Sequence, residues 1–432
     1  MANPFLQVNK GYHILLMFIS PFWGLIQLFK MKNKAYIIYM GTLFFGILGS
    51  LYVYTPGNDG HTHLKNIENN YLDMGLSTFF RDLINLLIYN TSNTSTSDPY
   101  LHIIGFFSGS FFQMPELLHV FASLMYGAIY FRCLMFIFDG IKIKKVAIYI
   151  LLLISIFLIY RGVTGLNSIR WWTAFWLMFL GLLGYSKTLE KKYIVLIILS
   201  VYIHFSFMVF IIPIFLSYFL KKRIGLVFLI WLVSFAMSTS YNFIKPYIPD
   251  IQLVQEKEKY TLNTEILERS QAAKSKPTSS KNFYAEYGEV SYRDFSIVLL
   301  TGLLFYFVFK TKNDLQPFFY FLFTAGVLLY SFANFMEFSP AVSGRGKAGA
   351  SVILLASAII LIANNYNQIK FKSPKFFKLG LKVFIVSTIP MVLFQLSYFL
   401  NIFSAFSVAF PFISWFIGSD DFTMKELIDI II

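Results

Sequence analysis

Long apolar runs follow one another along the chain, separated by short polar breaks. Within a run, apolar and polar positions do not alternate as they would in the strands of a membrane barrel. Most runs approach or reach the length at which a helix crosses a hydrocarbon core of about 30 Å. The pattern predicts helices near residues 11–29, 35–54, 116–138, 146–160, 170–185, 193–203, 206–220, 224–243, 294–310, 315–334, 346–363 and 381–399, and a helix or re-entrant piece over 401–417. The expected architecture is an all-α polytopic integral membrane protein with about 12–13 transmembrane helices, one transmembrane domain over 1–432.

Composition agrees with that pattern. The 432 residues are 57% hydrophobic and 13% charged, where a soluble domain carries about 25% charged residues. The net charge of +14 would suggest nucleic acid in a soluble protein. Here the excess sits in short loops, so no nucleic-acid partner is expected. Half of the 36 Lys and Arg residues fall in every second loop: Lys30, Lys32 and Lys34; Lys142, Lys144 and Lys145; Lys187, Lys191 and Lys192; Lys221, Lys222 and Arg223; Lys310 and Lys312; Lys370, Lys372, Lys375 and Lys378. The positive-inside rule puts these loops in the cytoplasm and the N-terminus outside. A single cysteine, Cys133, excludes an internal disulfide and a multi-cysteine metal site. No cleavable signal-peptide pattern is found before the first apolar run.

Charge also settles the run 193–220, "YIVLIILSVYIHFSFMVFIIPIFLSYFL", which has basic clusters at both ends. One helix of that length would span roughly 42 Å and leave one basic end outside. Two short helices folded as a hairpin satisfy both ends, and the apex falls near His204 and Ser206, at the outer face.

The outer segments are then 55–115, 161–170, 245–293 and 335–347. The first is polar, with a moderately apolar stretch at 100–113 expected at the interface or dipping into the membrane. The third mixes eight Lys/Arg with seven Asp/Glu. Four arginines, Arg161, Arg170, Arg293 and Arg345, stand at or near outer helix ends. Guanidinium grips a phosphate or diphosphate bidentately, although arginines at helix ends also snorkel to headgroups. Arg170 and Arg345 rank first because each opens a long apolar helix. His204 is a candidate general base, with backbone capping as the plainer reading. Asp59, in "PGND", serves either as a base or simply as turn chemistry. His61 and His63 are expected in solvated loop, with no metal site. Glu337 orients or neutralises Arg345. No Walker loop, dinucleotide fingerprint or H-E-x-x-H sequence occurs, so the chain carries no energy source of its own.

In that order and topology the chain resembles the EpsG/Wzy group of bacterial polysaccharide polymerases. Gly57-Asn58-Asp59 after the second helix is similar to the group's G-x-D signature, and Asp98-Pro99-Tyr100 to its acidic-Pro-x-aromatic element. Arg170 within "GLNSIRWWTAFW" is similar to its helix-opening arginine, His204-Phe205-Ser206 to its in-membrane histidine element, and Arg345 to its later outer arginine. The resemblance covers roughly residues 11–220 in order and the remainder more loosely. Three departures stand out. The group often has an arginine shortly before the Asp signature and a tyrosine shortly after it; here Tyr52 and Tyr54 precede Asp59 and the nearest following tyrosine is Tyr71, and the link from Gly165-Leu166 to Arg170 is longer than the family's tight form.

The resemblance implies a GT-C-like membrane glycosyltransferase of the bacterial inner membrane, needing no cofactor and no metal. It would transfer a growing glycan from undecaprenyl diphosphate onto a lipid-linked repeat unit at the periplasmic face. Arg170, Arg345, Arg161 and Arg293 would hold the diphosphate, His204 or Asp59 would act as base, and Glu337 and Ser206 would support them. Its partners would be undecaprenyl-diphosphate-linked oligosaccharides and membrane lipid, with a chain-length regulator protein as a further candidate. Two alternatives remain at this level. One is an O-antigen ligase-like glycan transferase. The other is a lipid-linked oligosaccharide flippase, for which symmetric halves and midplane charges would be expected.

Overall fold

The computed structural model describes residues 10–28, 30–56, 58–90, 96–139, 148–237, 283–311, 315–365, 374–417 and 422–431. Expectations about Gly57, most of the 245–293 loop and the lysines at 142–145, 312 and 370–372 lie outside these residues. The described elements are helices, joined by two isolated bridges, Tyr52–Phe403 and Ser404–Thr423. Six stretches are long and apolar enough to cross a membrane: Leu117–Phe138, Ile148–Thr188, Tyr287–Lys310, Pro317–Phe335, Pro340–Asn364 and Lys375–Ile402. Five shorter apolar helices accompany them, and together they suit a multi-pass membrane protein.

The helices are α1 (Lys10–Ile19), α2 (Pro21–Leu28), α3 (Lys34–Ser50), α4 (Asp59–Asn70), α5 (Leu76–Leu87), α6 (Pro99–Gly105), α7 (Leu117–Phe138), α8 (Ile148–Ile159), α9 (Ile169–Thr188), α10 (Lys192–Ile203), α11 (Phe207–Leu220) and α12 (Ile224–Ala236). After the second long loop come α13 (Phe283–Ser291), α14 (Ile297–Thr311), α15 (Pro317–Phe335), α16 (Pro340–Asn364), α17 (Lys375–Ser387), α18 (Ile389–Ile402), α19 (Pro411–Ile417) and α20 (Met424–Ile431). Local chemistry explains several starts. Asn33 accepts from the Tyr36 N–H as the N-cap of α3. Pro317 and Pro340 open α15 and α16, where the missing N–H costs nothing.

The long helices form a bundle with two chemically distinct ends. At one end Lys34 and Lys187 both bind Asp139, and the same region holds Lys221, Gln316 and Asn364. At the other end lie Arg161, Ser168, Arg293 and Arg345. These are called the lysine end and the arginine end below. The 41-residue run Ile148–Thr188 folds back on itself, because Phe157 of α8 packs on Trp176 of α9 with ring centroids 6.1 Å apart. Its reversal is the short 3-10 turn Val163–Ser168, at the arginine end.

The expected hairpin at His204 is present. Gly184 of α9 abuts Tyr193 at the lysine end of α10, while Trp171 meets Phe207 and Phe210 at the start of α11. Thus α10 rises to the arginine end and α11 descends from it. Gly181 and Gly184 let α9 and α10 approach closely; a Cβ on Gly181 would stand 2.6 Å from the Tyr193 carbonyl oxygen. Gly181→Val is therefore expected to destabilise the protein by about 1–3 kcal/mol, seen as a lower unfolding midpoint in detergent. An unchanged midpoint would contradict this packing.

Several expectations are corrected. The first helix, 11–29, does not cross once. Pro21 interrupts the helical hydrogen-bond ladder, and His13 Nε2 turns back to bond the Gly24 carbonyl at 2.9 Å. Lys10 consequently stands over the Tyr36 ring, on the side of the lysine end, where a single crossing would have placed it at the opposite end. The stretch 401–417 is a 3-10 turn followed by a helix of 7 residues. It covers the bend of α1–α2 through Ser20 Oγ to the Val408 carbonyl, 2.9 Å, and does not span. The polar segment 55–115 is largely helical. In it, α5 turns Leu76, Phe80 and Ile84 outward, and the 100–113 stretch continues from α6 into a π-helix that exposes Phe107 and Phe111.

Candidate functional site

The 3-10 turn Val163–Ser168 positions the arginines on either side of it. Each polar side chain in the turn has a partner on another element. Thr164 bonds Gln395, Asn167 accepts from the Tyr52 hydroxyl at 2.6 Å and donates to the Tyr398 hydroxyl, and Ser168 Oγ donates to Asp59 Oδ2 at 3.1 Å. Just before the turn, Arg161 has a left-handed backbone with φ of 58°, which costs a non-glycine residue about 1–2 kcal/mol. The Tyr126 hydroxyl, near the carbonyls of Arg161 and Gly162 at 2.7 Å each, fixes that conformation.

A cavity of about 310 Å³ opens beside this turn, lined in part by Arg161, Ser168, Trp171, Trp172, Arg293 and Arg345. The three arginines differ in what holds them. Arg161 is ion-paired to Glu289 and lies over the Trp172 ring, 5.6 Å from its centroid. Arg293 donates to the Gly344 carbonyl at 3.2 Å. Arg345 is exposed and, among the described residues, makes no hydrogen bond or ion pair; the charges it feels are those of Asp59 and Arg170. Asp59 occupies the first position of α4, where the helix dipole favours a carboxylate. It is thus a helix-starting residue facing Ser168, and the turn expected around it ends at Asn58.

The fourth arginine belongs to an adjoining group. Arg170 Nη1 donates to Asp98 Oδ2 at 2.5 Å, and Asp98 is 2% exposed. The other oxygen of Asp98 accepts the Phe205 N–H at 3.3 Å, so one carboxylate ties Arg170 to the hairpin apex. At that apex His204 Nδ1 accepts from the Ser206 N–H at 3.3 Å, with Ser206 Oγ 2.8 Å away. A neutral His204 then carries its proton on Nε2. Ser206 contacts His204 through Nδ1, and this geometry leaves Nε2 of a neutral imidazole as the donor.

Two further residues depart from expectation. Glu337 neither orients nor neutralises Arg345; it accepts from Lys347 at 3.1 Å, and Lys347 also binds Asp294 at 3.2 Å. Lys347, two residues beyond Arg345 on α16 and half-buried, is the cation that reaches the carboxylate. His61 and His63 are half-buried on α4, not in solvated loop. Burial, with Arg170 and then His119 nearby, lowers the His63 pKa to about 3. Between pH 6.5 and about 3 the unfolded chain binds a proton at this residue that the folded chain refuses, so its contribution makes stability fall as pH drops through that window. His63→Gln is expected to flatten the decline of the unfolding midpoint from pH 6.5 to 4; parallel curves for the two proteins would refute this.

No protein-family model, curated protein or solved structure matches the chain. The site therefore has to be read from its own chemistry. Among the described residues no three His, Cys, Asp or Glu side chains converge as a metal-ligand set. The arrangement offers two guanidinium groups held by the protein, a third on Arg345 that is exposed, one carboxylate beside them, and two tryptophans as a wall. Asp98, Glu289 and Asn167 are the residues that sequence reasoning passed over as site residues. Asp98 had a signal, an acidic residue immediately before Pro at the head of an apolar stretch; Glu289 and Asn167 had none.

Proposed function

We propose that the chain is an integral-membrane polysaccharide polymerase of the EpsG/Wzy type, with a GT-C-like fold and its active face on the periplasmic side of the bacterial inner membrane. It moves a growing O-antigen, capsule or exopolysaccharide chain from undecaprenyl diphosphate onto an incoming lipid-linked repeat unit. The observation that carries the reading is Arg345, a guanidinium with no hydrogen bond or ion pair among the described residues, at a cavity that also holds Arg161 and Arg293. A leaving diphosphate develops negative charge as its bond to the anomeric carbon breaks, and fixed guanidinium groups stabilise that charge.

The acceptor hydroxyl oxygen forms the new bond to the anomeric carbon, and the bonding pair to the diphosphate departs on its oxygen. Asp59, a carboxylate hydrogen-bonded to Ser168 at the cavity edge, takes the hydroxyl proton. His204, with its proton on Nε2, donates to a substrate oxygen. Trp171 and Trp172 offer ring faces to the sugar. The lipid diphosphate supplies the free energy, in keeping with the absence of any nucleotide motif in the sequence.

Competition binding tests the proposal. Purified protein is expected to bind a polyprenyl diphosphate about tenfold more tightly than the monophosphate of the same chain, and Arg345→Ala is expected to erase the difference. Equal affinity for both lipids in the wild type would oppose it.

A further inference from the structure

The lysine end holds a second cavity, of about 460 Å³, at the other end of the bundle from Arg161, Arg293 and Arg345. Its wall includes Phe136, Phe318, Phe321 and Ile360, and its polar lining includes Lys187 and Lys221. Lys221 Nζ stands 4.2 Å from the Tyr218 ring centroid and 5.4 Å from that of Phe321, and it makes no ion pair among the described residues. Lys187 shares the carboxylate of Asp139 with Lys34, both at 2.6 Å. The cavity lining thus carries two ammonium groups, Lys187 and Lys221, and the one carboxylate of Asp139, which Lys34 also binds. Lys187 and Lys34 also hold the Asp139 carboxyl down at about 2, so it stays charged at neutral pH and adds no proton to the site.

One further feature adds to this charge, and another adds hydrogen-bonding groups. Helix α15, of 19 residues, begins at the cavity with Pro317 in its first turn, so the positive end of its dipole faces the space. The side chains of Gln316 and Asn364 line the same space and have no hydrogen-bond partner among the described residues. A hydrated phosphate ion alone would leave the aromatic wall uncovered, whereas an aliphatic chain attached to the phosphate would cover it.

We infer that the cavity at the lysine end binds a phosphate group borne on an aliphatic chain, with Lys221 as its principal cation and Phe318 and Phe321 against the chain. The headgroup sits between Lys221, Lys187 and the start of α15, and the lipid tail leaves along the apolar wall. This site is separate from the arginine cavity and stands whether or not the polymerase reading holds. A rings-and-lysine arrangement strengthens the site for an anion because Lys221 is oriented by Tyr218 and not by a carboxylate.

Native mass spectrometry of the full chain in an uncharged detergent tests the inference, with dioleoyl phosphatidylglycerol and dioleoyl phosphatidylcholine as probes. One phosphatidylglycerol is expected to be retained about tenfold more than phosphatidylcholine. Lys221→Gln is expected to remove most of that preference, Lys221→Arg to keep it, and Lys425→Gln, on α20, to leave it unchanged. Inorganic phosphate distinguishes the sources: failure to displace the lipid assigns the site to a lipid headgroup, and displacement at millimolar concentration assigns it to phosphate in general. Equal retention of the two lipids by the wild type, or a Lys221→Gln variant that keeps the wild-type preference, would overturn the site.

Discussion

Arg345→Ala is expected to slow glycan elongation by about 100-fold or more while leaving the unfolding midpoint where it was. The size follows from removing one charged donor that meets the developing oxyanion; losing such a donor costs about 2.7–4 kcal/mol of transition-state stabilisation. The unchanged midpoint follows from the side chain's isolation: it is exposed and has no hydrogen bond or ion pair to lose among the described residues. Arg345→Lys should recover part of the rate, since an ammonium keeps the charge but not the planar fork. Elongation by Arg345→Ala at the wild-type rate would remove this residue from the proposed chemistry.

Asp98→Ala is expected to have the largest effect on stability. The carboxylate is 3% exposed as a side chain and its partner Arg170 is 23% exposed, so their pair is largely out of water. Removing one member of a buried pair leaves the other charge uncompensated, at a cost of about 3–5 kcal/mol. The residual exposure of Arg170 puts the expected loss near the lower end, about 3 kcal/mol. The Phe205 N–H also loses its acceptor, which frees the apex that holds His204. Adding Arg170→Gln should restore part of the loss, because the unpaired charge goes with it. Detergent unfolding curves for the two single variants and the double variant measure this; an Asp98→Ala protein within about 0.5 kcal/mol of the wild type would contradict it.

The sequence made the hairpin at His204 legible because lysines on both sides of an apolar run leave few ways to fold it. It also placed Arg161, Arg170, Arg293 and Arg345 at one end, since alternate loops carry the lysines. What it left hidden were the pairings. Arg170 with Asp98 and Arg161 with Glu289 join positions separated by 72 and 128 residues, and nothing local to either residue names its partner. Glu337 shows the same limit in reverse: closeness in sequence suggests Arg345, while Lys347, slightly farther along the chain, is the one within reach in space. The fold-back at Pro21 was missed because α1 and α2 together have the apolar length of one crossing, and only the His13 bond to the Gly24 carbonyl reveals the bend. His61 and His63 suggest loop because α4 is polar overall; the stripe Gly60, Leu64 and Ile67 that it buries is short and lies among polar residues.

The central claim concerns transfer without a nucleotide. Purified protein in detergent, given undecaprenyl-diphosphate-linked repeat units, chelator and no nucleotide, should produce a ladder of longer glycans on the lipid and release undecaprenyl diphosphate in step with each added unit. Transfer only to a different acceptor would make the protein a ligase. Unchanged repeat units, together with their movement across vesicles containing the protein, would contradict the enzyme reading altogether.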